Sequence, residues 1–387
     1  LVCAVGLTDA IFTSPAVSDG RVYIVDGSGV AFCIEIKESG DFRILWRFRS
    51  RGGKRNCNNR SSPALAGPYL HFGTTAGWYY VLDCETGKVV KEIFCGEPIM
   101  SAPAVTRKGV YFATVGSCVY ALTYSGKVRW SWDYAKERLG FKGRKWRGDD
   151  FLAFKRGRIT WRDRFTFWGD LAAREDTVVL PAGGEIVWIK DEGDRPRVLG
   201  YGHVPSYKGS ERPSFFGSSI DREGNFYVQW HRRDNTGRVE VFRLTEKGIS
   251  TSFVPGTLSR NDMEHLMGFA SVSIRGKNIY RTRPQEGYAL CRYDLETGKV
   301  ESLGGFPSIA PPILVKDYAV FGGLDGSLYF VSLKKPNSIW SFKTAFGKAI
   351  TAACAVCDGK VYFGCEDGYL YVLGSNGSAP LPQKDLE

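Results

Sequence analysis

The chain has 387 residues, 43% of them apolar and 14% aromatic, enough for a sizeable core and unlike a disordered sequence. Lys and Arg number 52 against 41 Asp and Glu, a net charge of +11, and no apolar run approaches the ~18 residues of a membrane-spanning helix. The 46 glycines favour many short strands joined by tight turns over long helices.

Residues 1–7, LVCAVGL, read as a strand with no hairpin partner of their own. From Ser14 onward one phrase recurs: a small-residue opener, an Asp/Gly turn, an alternating aromatic strand, a Gly turn, a third strand, and a fourth that often carries Trp. Copies begin near residues 14, 62, 101, 167, 214, 270, 310 and 351, a period of roughly 40–50 residues that signals a propeller or solenoid. The turns Glu85-Thr86-Gly87-Lys88 and Glu296-Thr297-Gly298-Lys299 repeat as well. The eighth copy has three strands before the tail SNGSAPLPQKDLE. The pattern therefore predicts one all-β domain over 1–387: an eight-bladed propeller of four-stranded antiparallel blades, closed by residues 1–7 in the last blade. Closure removes the exposed sheet edges of a linear stack.

Basic residues collect in loops that such a ring would place on one face, those after each fourth strand and between second and third strands. The 51–60 segment supplies Arg51, Lys54, Arg55 and Arg60. One long insertion, 135–164, supplies Lys142, Arg144, Lys145 and Arg147 around Trp146. Arg232 and Arg233, then Arg281 and Arg283, are expected in loops between second and third strands. Turns of the opposite face, such as Asp19-Gly20, Glu85-Thr86 and Asp358-Gly359, are neutral or acidic. Arginines in long loops commonly tie those loops down; gathered at one mouth, they would instead attract an anionic partner. The Arg/aromatic alternation could stack bases, but no standard nucleic-acid module is present and nucleic acid is set aside.

Catalytic patterns are sparse. His71, His203, His231 and His265 fall in separate copies, with His71 at a mid-strand position that suits a hydrogen-bonded core role. No nucleophile elbow, P-loop or HExxH occurs. Most of the ten cysteines sit in apolar runs, and Cys354 and Cys357 form a CxxC with no second pair or nearby histidine to complete a zinc site. Buried thiols and one or two disulfides both remain open, and the sequons at Asn59 and Asn376 decide no compartment.

The phrases VYFGCEDGYLYVL and YYVLDCETGKVV, with Trp46, Trp130 and Trp340 on outer strands, resemble pyrroloquinoline-quinone-type repeats. That family includes quinoprotein alcohol dehydrogenases and non-catalytic relatives, one being a periplasmic propeller that helps assemble outer-membrane barrels. The resemblance is strongest in copies 1–3 and 6–8. For an enzyme it implies a vicinal cysteine pair, a calcium or lanthanide site and an aspartate base. No two cysteines are adjacent here, and Asp149, Asp150, Asp170 and Asp191 are not drawn to one site by any spacing. The resemblance therefore implies the non-catalytic branch: a monomeric scaffold outside the cytoplasm, any signal peptide already removed, with no cofactor and no metal. Its basic, aromatic face would meet a protein or an anionic polymer such as acidic polysaccharide. The alternatives are a reduced quinone-dependent dehydrogenase using pyrroloquinoline quinone with calcium, and a membrane-protein assembly factor.

Overall fold

Two-residue Asp-Gly turns with both residues at positive φ, as at Asp19 (52°) and Gly20 (70°) and at Asp358 (49°) and Gly359 (67°), match the right-handed twist of the strands they join. They set the first hairpin of blades 1 and 8. In the computed structural model, described over residues 1–142, 169–203, 214–231, 236–254, 259–260, 271–283 and 289–374, these hairpins extend into eight sheets. Seven have four strands, and the fifth carries a short extra segment, Ser259–Arg260, on its third strand. Blade 1, for example, runs Ala16–Ser18, Arg21–Val25, Val30–Ile36 and Phe42–Arg49, each strand antiparallel to the last.

Blade 8 is completed from the other end of the chain. Cys3–Gly6 pairs antiparallel with Tyr369–Gly374, in the register Cys3 with Val372 and Val5 with Leu370. The ring therefore closes as the orphan segment predicts.

No blade can bury both faces alone, so the core lies between blades. Eight apolar clusters are found among the described residues, one at each junction between neighbours. The closing junction is as apolar as the rest: Cys3, Val5, Leu370 and Val372 of blade 8 pack on Val22, Ile24 and Phe32 of blade 1. Burial of apolar area at every junction, at about 25 cal/mol per Å², is what makes a circle preferable to separate hairpins.

The outer tryptophans lock neighbouring blades. Trp46 Nε1 donates to the Cys84 carbonyl at 2.8 Å, and its indole lies on Gly87, where an added Cβ would stand 2.6 Å from the ring. Gly87 also has φ of 67°, so the ETGK turn needs glycine for conformation and for room. Between blades 3 and 4, Trp130 Nε1 instead donates to the Asp191 carboxylate at 2.8 Å. The Asp191 side chain is fully buried and also accepts from Arg129, Tyr111 and the Gly193 amide. Burial alone would raise this carboxyl, but Arg129 and the other donors override it and hold it below its ordinary range.

His71 is a core residue. It is wholly buried, with Nε2 donating to the Tyr124 carbonyl at 2.8 Å and Nδ1 3.2 Å from the Tyr79 hydroxyl, and burial lowers its pKa to about 4. All ten cysteines are free thiols, only Cys57 is exposed, and burial pushes Cys33 and Cys84 to about 11 and Cys354 and Cys365 to about 12.

Candidate binding faces

The loop after blade 1 owes its shape to buried amides. Gly52 at φ 119° and Gly53 at 50° start a tight turn, Gly53–Arg55, that leaves Asn56 and Asn59 pointing inward. Asn56 Nδ2 donates to Ser50 Oγ and to the Arg51 carbonyl, each at 2.8 Å. Asn59 Nδ2 donates to the Gly27 carbonyl at 3.0 Å while its Oδ1 accepts from the Thr75 amide at 2.8 Å. The loop is thus tied to the second-to-third-strand turns of both blades 1 and 2. Asn59 is fully buried, so the sequon there presents no accessible amide.

From this fixed backbone Arg51, Lys54 and Arg55 are displayed to solvent. The Arg51 guanidinium lies 5.2 Å from the Trp78 ring centroid and 3.0 Å from Glu92 Oε1. Trp78 in turn packs on Phe94 at 4.8 Å, and Phe94 is 60% exposed. A cation and two aromatics therefore form one exposed stack at the end of blade 2. Trp78 and Phe94 were not singled out from sequence; their signal is that they sit opposite one another at the same ends of paired strands.

Arg60 is elsewhere, in the axial mouth. It lies 5.2 Å from the Phe12 ring, among Ser14, Ser62, Met100, Asp170, Pro311 and Thr351, around a space of about 90 Å³. Burial lowers the Arg60 pKa, with Glu366 acting the other way. The mouth is drawn in by bonds between blades: the Ser14 amide donates to Ser62 Oγ at 3.0 Å and the Ala102 amide to Asp170 Oδ1 at 2.8 Å. Burial raises the Asp170 carboxyl.

The basic insertion is rooted by one carboxylate. Glu185, at the start of the third strand of blade 4, accepts from the Tyr134 hydroxyl at 2.6 Å and from Arg138 at 3.1 and 2.9 Å. The Arg138 guanidinium lies 4.0 Å from the Tyr201 ring, and His203 Nδ1 stands 3.4 Å from Glu185. Burial would raise Glu185, yet Arg138 and Tyr134 hold it below its ordinary range. Lys142 is exposed beyond this root. Arg144, Lys145, Trp146, Arg147, Asp149, Asp150, Arg232, Arg233 and His265 lie outside the described residues.

Arg281 and Arg283 do not occupy a loop. Both fall in the second strand of blade 6, Asn278–Arg283, because the alternating pattern of NIYRTR continues to its end. Arg281 is 1% exposed; the Arg283 side chain is outside the described residues.

The described part of the mouth at the 50–60 end leaves too little room for a bound quinone. A space of about 90 Å³ falls short of the about 300–1,000 Å³ typical of small-molecule sites. Asp170 and Asp191 lie at different places, the mouth and the blade 3–4 junction. Among the described residues no group of three or more His, Cys, Asp or Glu side chains is arranged to hold a metal ion.

A second opening lies at the other end of the ring, where the sequence pointed to neutral or acidic turns. A cavity of about 880 Å³ is bounded by the inner strands and first turns of blades 4, 5 and 6, with Arg174, Arg222 and Arg275 on its wall. Arg174 and Arg275 end the first strands of their blades, and Arg222 stands two residues past the end of its own, in the first turn of blade 5.

Fold and faces together define a closed propeller with charged side chains displayed at both ends. The family model described as outer membrane protein assembly factor BamB matches residues 43–166. Residues 43–166 are thus similar to the repeats of that family, and the chain as a whole has the propeller fold. Similar solved structures include BamB from Moraxella catarrhalis, at 14% identity and TM-score 0.65, covering 96% of this chain and 98% of that one. A europium-containing methanol dehydrogenase aligns at 15% identity and TM-score 0.63, covering 95% and 85%. The computationally designed Ika8 protein aligns at 15% and 0.61, covering 96% and 98%. At such identities the likeness is one of fold. No curated protein matches the chain.

Proposed function

We propose that the chain is a non-catalytic binding propeller that docks a protein partner on the face carrying the 50–60 loop. The observation that carries this is the exposed Arg51–Trp78–Phe94 stack, in which the loop pinned by buried Asn56 and Asn59 lays Arg51 on the aromatics of blade 2. Arginine and large aromatics are the residue types that dominate protein interfaces, the aromatics through rigid contact area and arginine through its forked hydrogen bonds and stacking. Lys54 and Arg55, exposed beside the stack and without an ion pair among the described residues, suit an acidic rim on the partner. The family match to an outer-membrane protein assembly factor supports a partner within such an assembly and a place outside the cytoplasm.

A photo-crosslinking residue at Phe94, in cells of the source organism, should trap a defined protein. Lys54→Glu with Arg55→Glu should reduce the adduct several-fold, while a probe in the Glu246–Lys247 turn of the opposite face should trap none. Equal trapping at both faces, or an adduct with polysaccharide, would remove the protein-docking assignment. Stoichiometric uptake of pyrroloquinoline quinone with calcium, seen as a bound visible chromophore, would remove the non-catalytic one.

A further inference from the structure

We propose that the end of the ring opposite the 50–60 loop is a second binding site, one that takes a small polyanion bearing two or more carboxylate or phosphate groups. Three arginines, Arg174, Arg222 and Arg275, each from a different blade, are among the residues that line it. Arg174 and Arg222 form no ion pair among the described residues. Arg275 donates through Nη1 to the Lys316 carbonyl of blade 7, which holds the side chain in place and leaves its other N–H donors.

Asp221 also lies on the wall and keeps its negative charge, but its oxygens are directed into the turn that carries it. Asp221 accepts at Oδ1 from the Asn225 amide at 2.8 Å, and at Oδ2 from Asn225 Nδ2 at 2.7 Å and the Tyr227 hydroxyl at 3.0 Å. Its carboxylate thus serves the turn of blade 5. Glu223 is the other acid on the wall. It would disfavour a ligand with negative charge all round and select one with anionic groups at separate points.

Room is made as well. Gly224, at φ 86°, has no side chain where Arg174 Nη1 passes; a Cβ would stand 3.4 Å from that nitrogen. Arg174 of blade 4 therefore reaches across the first turn of blade 5. The volume, about 880 Å³, falls within the range of about 300–1,000 Å³ usual for small-molecule sites. Three arginines against Asp221 and Glu223 leave the lining one net positive charge, and an anion placed among the guanidiniums gains charge-assisted, forked hydrogen bonds. The site is independent of protein docking on the other face.

The test is calorimetric titration of the whole chain with citrate and with inorganic pyrophosphate, against sodium chloride of equal ionic strength. At least one probe should bind one-to-one. Arg174→Gln with Arg222→Gln should weaken it by about tenfold or more, as expected for loss of hydrogen bonds to charged groups. Lys54→Gln with Arg55→Gln should leave it unchanged. Preference for citrate assigns carboxylates and preference for pyrophosphate assigns phosphates; either sustains the site. No saturable binding of either probe, equal binding to the Arg174/Arg222 variant, or loss only in the Lys54/Arg55 variant overturns it. As a measurement free of any variant, the bound probe should slow phenylglyoxal modification of Arg174 and Arg222, mapped by peptide mass. Unchanged labelling likewise overturns the proposal.

Discussion

The two ends of the ring carry arginine in different ways. At the 50–60 end, Arg51 is held by Glu92 and lies on Trp78, and Arg60 sits against Phe12 at a mouth of about 90 Å³. At the other end, Arg174 and Arg222 have no carboxylate partner among the described residues and border about 880 Å³. A count of cations therefore does not mark a site. A guanidinium already paired and stacked helps present an aromatic surface, whereas one left unpaired beside a cavity can still take an anion.

The largest effect expected comes from an arginine that is structural beyond doubt of its partners. Arg129→Met strips Asp191 of its charge partner between blades 3 and 4 while leaving the carboxylate buried. Removing one member of a buried pair costs about 3–5 kcal/mol, which should appear as a lower denaturation midpoint. Asp191 is depressed in the folded state, so the stability it contributes is present above its unfolded pKa of about 3.9. That contribution is lost as pH falls through the folded value. The variant should begin acid unfolding at higher pH than the parent; an unchanged acid limb would mean that the pair is not what holds this junction.

Asn59→Ala tests whether the basic loop is rigid. It leaves the Thr75 amide without its acceptor and the Gly27 carbonyl with only the residue 59 backbone amide, at a cost of about 1–3 kcal/mol, and should speed hydrogen exchange at Thr75. Exchange as slow as in the parent would separate loop order from the asparagine. The smallest effect belongs to Glu92→Gln. The Arg51 side chain is 64% exposed, so losing the pair should change stability by less than about 1 kcal/mol by denaturant titration. A larger loss would show that Glu92 does more than steady a surface arginine, and would erase the contrast between the two ends.

Much of this architecture was legible because its signals are local. The Asp19-Gly20 and Asp358-Gly359 turns are visible as dipeptides, and strands such as Val361–Phe363 declare their alternation within a few residues. The orphan strand at residues 3–6 was legible by subtraction, one strand lacking at one end and one spare at the other. Sites were harder. Arg51, Lys54 and Arg55 are exposed on one loop, but Arg60, further along the same segment, turns into the axial mouth. Arg281 was assigned to a loop, yet the strand runs on through it and its side chain is buried. The arginines of the opposite end lie in separate copies, so no single stretch of sequence gathers them.

The order of strands, the turns between them, the number of blades and the segment that shuts the circle were all written in the amino-acid order, since hairpins depend on alternation and left-handed turn residues a few positions apart. Which charges share an opening was decided only by the closed ring. Arg174, Arg222 and Arg275 are roughly 50 residues apart, one repeat each, and they meet because neighbouring blades must cover one another's apolar faces.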